Sequence, residues 1–258
     1  MGRVWPLTKL TKKRAFYQMN CCIDLGNTRI KVAFFDRDQL LDVHICHSEE
    51  ELEALLAERK PARSALCTVG KKADTLLRRL ENHAPVLPLS WQTPLPFRIV
   101  YDTPETLGVD RIAAVAGAWH LHPGMASLVI DAGTCITYDY IDANGQYHGG
   151  IISPGIEMRL RAMHHFTAAL PSLALTTEAP LLGKSTRTAM LSGAINGTLG
   201  EIESIIGRYE EKFGALQVLA CGGNSDYFES SIKRHIFAVP YLVLIGLNTI
   251  LLHNEQIA

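Results

Sequence analysis

Two short acidic patterns in this chain have the residue types that bind a phosphate chain. The pattern Asp-x-Gly-[Asn/Thr]-[Thr/Cys] ends an apolar, β-rich run in CCIDLGNTRIKVAFFD (21–36) and again in SLVIDAGTCITYDYID (127–142). Each copy turns through a glycine and continues as a second β-rich run. Such a hairpin presents backbone N–H groups, a hydroxyl and one carboxylate to an anion and its cation. The two copies therefore predict two hairpins that close on one nucleotide.

The members of the two patterns have different predicted roles. Asp24 and Asp131 are anionic and are therefore suited to hold a cation, directly or through water, and not a phosphate. Lys31 is within reach of a phosphate oxygen, although an exposed strand lysine is the ordinary alternative. A single copy would be interpreted as a plain β-turn, because Asp, Gly and Asn are turn residues. The predicted phosphate-binding residues are Asp24, Gly26, Asn27, Thr28, Lys31, Gly133 and Thr134.

A carboxylate and a guanidinium are adjacent in TPETLGVDRIAA (103–114), where Asp110 precedes Arg111 at a glycine-to-helix junction. An acid in the first turn of a helix offsets the helix dipole. Alternatively, the carboxylate accepts the proton of a substrate hydroxyl beside a guanidinium that binds a carboxylate or phosphate. The local sequence leaves both interpretations open.

Two further segments contain glycines beside polar residues. GKST (183–186) is not a P-loop, because Glu178 stands where that motif needs a glycine, and we interpret it as a helix start capped by Ser185 or Thr186. CGGN (221–224) follows a predicted strand. Its glycines, Gly222 and Gly223, allow the backbone to approach a nucleoside, but a strand-to-helix turn explains them equally well.

The hydrophobic patterns predict a mixed α/β fold with two units of related design. The predicted strands are 20–25, 29–36, 40–46, 63–69, 126–131, 134–141, 145–152 and 215–221. The predicted helices are one that starts at Ser48, 71–83, one that follows Gly108, 155–169, 185–213, one near 225–234, and a terminal helix. A proline-rich loop, 85–104, is neither helix nor central strand. We expect a flexible basic extension (1–18), an N-terminal lobe (19–121) and a C-terminal lobe (122–258).

The bulk composition narrows the class of protein. The 258 residues carry a formal net charge of −1, which gives no electrostatic reason to expect a nucleic acid or membrane partner. No apolar run is long enough to span a bilayer. The six cysteines form no C-x-x-C pair, and most lie in apolar, strand-like runs, so we expect buried free thiols in a reducing cytoplasm.

Taken together and in order, six segments resemble the type III pantothenate kinases. They are DLGNTRIK (24–31), YDTPETLGVDR (101–111), VIDAGTCIT (129–137), GGIISPGIEMRLRAM (149–163), GKSTRTAMLSG (183–193) and CGGN (221–224). The resemblance implies the acetate and sugar kinase/Hsp70/actin superfamily fold, with two RNase H-like lobes and ATP between them. It also implies a homodimer that phosphorylates pantothenate in the first step of coenzyme A biosynthesis.

The resemblance also implies a role for individual residues. Asp110 is the general base, and Asp131 binds a monovalent cation, K⁺ or NH₄⁺, in addition to the Mg²⁺ that accompanies ATP. Thr186 reaches into the site of the partner subunit. Tyr101, Gly108 and Arg111 hold pantothenate. The departures from the family pattern are Cys135, where alanine is usual, and Cys221 before the glycine pair.

Two alternatives stay open from the sequence. The first is another kinase of the superfamily that acts on a sugar or an acyl group, against which the segment from Tyr101 to Arg111 argues. The second is a non-catalytic nucleotide-binding regulator or filament protein, which would keep both hairpins and lack a base. The presence of Asp110 disfavours it.

Overall fold

The computed structural model of the chain describes residues 19–26, 29–68, 73–176, 179–223, 231–232 and 234–257. The extension (1–18), Asn27 and Thr28 lie outside the described residues, as does most of the helix predicted near 225–234. The chain divides into two compact units. Of the described residues, the first unit comprises those up to Leu95, Gly108–Ala113 and those from Leu244 onward, and the second comprises those within Pro96–Leu107 and Ala114–Val243.

The first unit contains a mixed five-stranded sheet in the order β3-β2-β1-β4-β5. The first three strands form an antiparallel meander, and β4 and β5 continue the sheet parallel to β1. Apolar side chains of β1, β2 and β4 pack with those of two helices in one core. The elements are β1 (Met19–Leu25), β2 (Ile30–Asp36), β3 (Gln39–Cys46), α1 (Glu49–Arg59), β4 (Arg63–Thr68), α2 (Ala73–Glu81) and β5 (Val86–Pro88).

The second unit contains a six-stranded sheet in the order β11-β10-β7-β8-β9-β6. Its elements include β6 (Arg98–Ile99), a 3₁₀ helix (Pro104–Thr106), β7 (Ser127–Ala132), β8 (Cys135–Ile141), β9 (Gln146–Pro154), α4 (Ile156–His165), α5 (Thr186–Phe213), β10 (Gln217–Cys221) and β11 (Phe237–Ala238). The division between the units falls within two helices: after Ala113 in α3 (Val109–Leu121) and after Val243 in α6 (Leu242–Ile257).

The two sheets have the same strand order apart from β6. Strands β9-β8-β7-β10-β11 repeat the order β3-β2-β1-β4-β5, with the same antiparallel meander followed by parallel neighbours. The prediction of an α/β fold with two related units and mixed sheets is therefore confirmed. The placing of the lobe boundary at residue 121 stays a prediction.

The local signals for element ends are mostly confirmed. Ser48 caps α1, where its side chain accepts a hydrogen bond from the Glu51 N–H at 3.2 Å. The strands within the proline-rich segment, β5 and β6, are short, and both lie at sheet edges, where a missing N–H disturbs no ladder.

The helix predicted over 155–169 is shorter in the structure, because α4 ends at His165. The Thr167 hydroxyl donates to the Met163 carbonyl at 2.7 Å, and His164 Nδ1 lies 2.8 Å from the Leu170 carbonyl oxygen. These contacts satisfy polar groups at the helix end. No helix within the described part of the chain has the length and apolarity needed to cross a membrane.

Candidate functional site

The first acidic turn joins the central strand of the first sheet to its neighbour. Asp24 lies near the end of β1, opposite Lys31 of β2 and Cys67 of β4. The Gly26 N–H donates to the Arg29 carbonyl at 3.2 Å and closes the turn. Directly opposed residues of antiparallel strands project from the same face. The Asp24 carboxylate and the Lys31 ammonium are therefore presented on one side of the sheet, at the turn.

The second acidic turn has the equivalent place in the second sheet. Asp131 lies near the end of β7, opposite Thr137 of β8 and Cys221 of β10. The Gly133 N–H donates to the Cys135 carbonyl at 3.0 Å. Gly133 and Thr134 are exposed at the tip of the turn, whereas Asp131 is half-buried. Each unit thus presents one carboxylate and one open glycine turn from its central strands.

The glycine pair after β10 lies directly beside the second acid. Gly222 has φ +90°, and a Cβ built there would lie 2.5 Å from Asp131 Oδ1 and 2.6 Å from the Ala132 carbonyl oxygen. Only glycine tolerates both this backbone conformation and this approach. The structure therefore brings Gly222 and Asp131 together within the second unit, while Gly223 is exposed and has open space around it.

Asp110 is the second residue of α3, and its carboxylate folds back on the helix start. Its Oδ1 accepts a hydrogen bond from the Arg111 N–H at 2.9 Å. A Cβ on Gly108 would lie 2.5 Å from the same oxygen, so the glycine makes room for the carboxylate. Asp110 is half-buried and Arg111 is buried. The helix-dipole interpretation fits this position, which also leaves the carboxylate partly accessible to a substrate.

Ser185, and not Thr186, caps α5. The Ser185 hydroxyl oxygen accepts from the Thr188 N–H at 3.2 Å, and the Thr188 hydroxyl oxygen accepts from the Ser185 N–H at 2.9 Å. This capping box explains why GKST begins a helix without a P-loop. Thr186 is the first residue of the helix and is exposed.

Two glycines that the sequence analysis did not single out contact predicted site residues. Gly149 lies on β9 with φ +85°, and a Cβ there would lie 2.5 Å from Cε2 of the Tyr101 ring. Gly155 precedes α4, and a Cβ there would lie 2.5 Å from the Gly133 carbonyl oxygen. The only sequence signal for them was their place in the segment GGIISPG.

The donor set around the acids fits an ion that also takes phosphate oxygens. Among the described residues, no cluster of three or more His, Cys, Asp or Glu side chains is placed to hold a metal. Mg²⁺ typically binds one or two carboxylates together with substrate phosphates and water. Single carboxylates at two turns, Asp24 and Asp131, are consistent with that requirement.

All six cysteines are free thiols. Burial raises the pKa of Cys21, Cys22 and Cys46 above the ordinary value, so these thiols are protonated at neutral pH. Cys67 and Cys221 are also buried, whereas Cys135, after the second turn, is partly exposed. The prediction of buried free thiols is confirmed for all except Cys135.

The predicted site residues that the structure describes divide between the units. The first unit holds Asp24, Gly26, Lys31, Gly108, Asp110 and Arg111. The second unit holds Tyr101, Asp131, Gly133, Thr134, Thr186, Gly222 and Gly223. The approach of the two acidic turns to one nucleotide stays a prediction.

The solved structures with a similar fold are distant in sequence. One is described as a conserved Baf family transcriptional activator from Campylobacter jejuni. It aligns with a TM-score of 0.61 at 23% identity over 92% of this chain and 99% of its own. Another is a ROK family protein from Streptococcus pneumoniae, with a TM-score of 0.50 at 15% identity over 93% of this chain and all of its own. At these identities the likeness shows the fold alone.

Closer relatives identify the family. The type III pantothenate kinase family model matches residues 20–208, well over half of the chain. A type III pantothenate kinase from Phocaeicola vulgatus is 42% identical over 242 residues, which is 93% of this chain and all of the relative. The chain therefore belongs to the type III pantothenate kinase family.

Proposed function

We propose that this protein transfers the γ-phosphoryl group of ATP to the hydroxyl of pantothenate and produces 4′-phosphopantothenate, the first intermediate of coenzyme A biosynthesis. The observation that carries the proposal is the 42% identity with a named pantothenate kinase over nearly the whole chain. The residues of the family pattern are present, including Asp110 in the first turn of α3. A regulator without a base would not need that carboxylate.

The protein contributes mainly position and charge. The turns that follow Gly26 and Gly133 bind phosphate oxygens through donors other than these two glycine N–H groups, which close the turns. The exposed Thr134 hydroxyl is one such donor. Asp110 orients the pantothenate hydroxyl and accepts its proton late in the transfer. The buried Arg111 guanidinium neutralises the pantothenate carboxylate, since its planar donor set matches a carboxylate. Tyr101 and Gly108 are the further residues proposed to contact pantothenate.

Magnesium accompanies ATP, and Asp24 and Asp131 are the residues that would hold it or its water ligands. When bound, the ion supplies charge neutralisation on the phosphates. Asp131 also binds the monovalent cation, K⁺ or NH₄⁺. Support comes from its half-buried carboxylate beside Gly222, which leaves hard oxygen donors near the end of β7.

The active form is a homodimer in which Thr186 contributes to the partner's pantothenate site. Support comes from exposed apolar side chains in the second unit, two of which precede α5: Leu181 is 86% exposed and Leu182 is 74% exposed. Phe166, beyond α4, is 81% exposed. Large apolar side chains with such exposure are typical of a surface that a partner covers. The free thiols support a cytoplasmic location.

The test is an assay of the full chain with ATP, Mg²⁺ and pantothenate, in KCl or in choline chloride, with the product identified by its mass. We expect 4′-phosphopantothenate, with a higher rate in KCl. Glucose and acetate serve as alternative acceptors. Transfer only to one of these would assign the protein to another kinase class, and nucleotide binding without transfer would favour the regulator. Equal rates in the two salts would show that the reaction needs no monovalent cation at Asp131.

A further inference from the structure

We propose that Gly149 and Gly155 are positioning residues for the two substrates. Gly149 leaves the space that the Tyr101 ring needs in the position where it contacts pantothenate. Gly155 holds the second phosphate turn in the conformation that binds ATP. Both lie on one continuous stretch, formed by β9 and the N-cap of α4. The inference rests on the proposed function, because it takes Tyr101 as a pantothenate contact and Gly133 and Thr134 as ATP contacts.

The Tyr101 ring occupies the space that a side chain at position 149 would need. A Cβ built on Gly149 would clash with two ring atoms, Cδ2 and Cε2, the latter at 2.5 Å. A side chain there would displace the whole rigid ring, because no flexible end is available to yield. Gly149 is buried and Tyr101 is half-buried.

Gly155 makes two kinds of contact with the second phosphate turn. Its N–H donates to the Thr134 carbonyl at 3.1 Å. A Cβ at this position would lie 2.5 Å from the Gly133 carbonyl oxygen and 2.6 Å from that of Thr134. Its φ of −67° is ordinary, so an alanine here would introduce no backbone strain. Any effect of Gly155→Ala on the turn therefore comes from these contacts.

The two contacts are far enough apart to be tested separately. Six residues of extended strand span roughly 20 Å. Substitutions more than about 10 Å apart without shared partners usually act independently. A general loss of stability would change both substrate affinities or neither, whereas two positioning residues predict a separate effect on each substrate.

The experiment measures kcat and KM for each substrate in Gly149→Ala and Gly155→Ala of the full chain. We expect KM for pantothenate to rise about tenfold or more in Gly149→Ala, with KM for ATP within twofold of the wild type. In Gly155→Ala we expect a rise of similar size in KM for ATP, with KM for pantothenate nearly unchanged. Parallel changes in both KM values, or no change in either variant, would overturn the proposal.

Two other glycines provide matched controls. Gly124 has φ +72° with nothing within 4 Å of a built Cβ, so Gly124→Ala carries the backbone strain of position 149 without the ring contact. Gly193, in α5, has open space and controls for Gly155. Both alanine variants are expected to keep wild-type KM values. A wild-type protein without pantothenate kinase activity would contradict the proposed function itself, which is a different outcome from an active wild type without the split.

A double-mutant cycle keeps the test valid if Gly149→Ala folds poorly. Removing the ring with Tyr101→Ala should make the further change Gly149→Ala less damaging to the thermal unfolding temperature than it is in the wild type. The backbone strain is the same in both backgrounds and cancels in the comparison. Equal losses in the two backgrounds would show that the ring does not meet position 149.

Discussion

At the residue scale, the two acids of the repeated pattern occupy equivalent places. Asp24 and Asp131 each lie near the end of a central strand, with an antiparallel neighbour on one side and a cysteine of a parallel strand on the other. The cysteines, Cys67 and Cys221, are buried. A small, weakly polar side chain beside each acid lets the strand ends pack closely. In each sheet, the carboxylate and the glycine turn that we propose for nucleotide binding therefore lie together.

The residue with the most direct role in the proposed reaction is Asp110. We expect Asp110→Asn to lower kcat by about 10²- to 10⁴-fold, because the amide cannot accept the hydroxyl proton. ATP affinity, measured by calorimetry without pantothenate, should stay within threefold of the wild type. The amide oxygen still accepts from the Arg111 N–H, so the helix start is kept. A kcat close to that of the wild type would show that Asp110 is not the general base.

At the element scale, a polar network joins two strands and two helices of the second unit. Arg159 of α4 donates to the Ser153 hydroxyl at 3.0 Å, to the Pro154 carbonyl at 2.9 Å and to Glu201 of α5. The Tyr138 hydroxyl donates to the other oxygen of that carboxylate at 2.9 Å. Burial raises the pKa of Tyr138, so its hydroxyl stays a donor. The network fixes the positions of α4 and α5 against β8 and β9.

Glu201 makes this network dependent on pH. Burial pushes the pKa of Glu201 upward, but hydrogen bonds from Arg159, Ser153 and Tyr138 outweigh burial and leave the pKa below 4.5. The folded protein therefore favours the ionised form relative to the unfolded chain. The resulting stability is present above pH 4.5 and is lost as the pH falls through the folded pKa.

We expect Glu201→Gln to lower the free energy of unfolding by about 1–2 kcal/mol at pH 7, since it removes a charged partner of Arg159. The gap to the wild type should narrow below pH 4.5, because the wild-type carboxyl is then protonated as well. Denaturant unfolding between pH 7 and pH 3 measures the gap. A gap that does not change with pH would contradict the linkage.

The matched control is Glu157→Gln on α4. Glu157 pairs with Arg161 across one helical turn, but the two side chains are 62% and 80% exposed. Exposed pairs of this kind contribute roughly 0.3–0.5 kcal/mol. The free energy of unfolding of Glu157→Gln should therefore stay close to that of the wild type at every pH.

At the same scale, the sequence predicted most elements and missed what links them. The cap at Ser48 and the apolar, β-rich runs of β1, β2, β7 and β8 are features of a few consecutive residues, so a local pattern is enough to place them. The network partners Arg159 and Glu201 are 42 positions apart. No local pattern relates two such residues, since only the packing of α4 beside α5 makes them neighbours.

At the scale of the whole molecule, the proposed sharing of Thr186 between subunits has a specific consequence. Subunits with Asp110→Asn and subunits with Thr186→Arg should each be inactive alone. In a mixed dimer, one site receives Asp110 from one subunit and Thr186 from the other, while the second site lacks both. An equal mixture that exchanges subunits freely should therefore regain about a quarter of the wild-type activity.

The activity of the mixture is measured after dissociation and reassembly, together with the oligomeric state by light scattering. The control is a double variant, Asp110→Asn with Thr186→Arg in the same chain, mixed with the single variants, which should regain none. A mixture of the two single variants that forms dimers and stays inactive would show that each subunit builds its own site.

The sequence by itself determined the family, the two acidic turns, and the class and order of nearly all elements. These features follow from short-range causes: strand and helix periodicity, capping side chains, and glycine at turns. The tertiary structure decided which glycines matter around the turns. Gly222 faces Asp131, and Gly155 faces the Gly133 carbonyl, only because parallel strand pairing and the start of α4 bring remote segments together. Close approach between distant backbones leaves no periodic trace in a single sequence, because its cause is the packing of the folded chain.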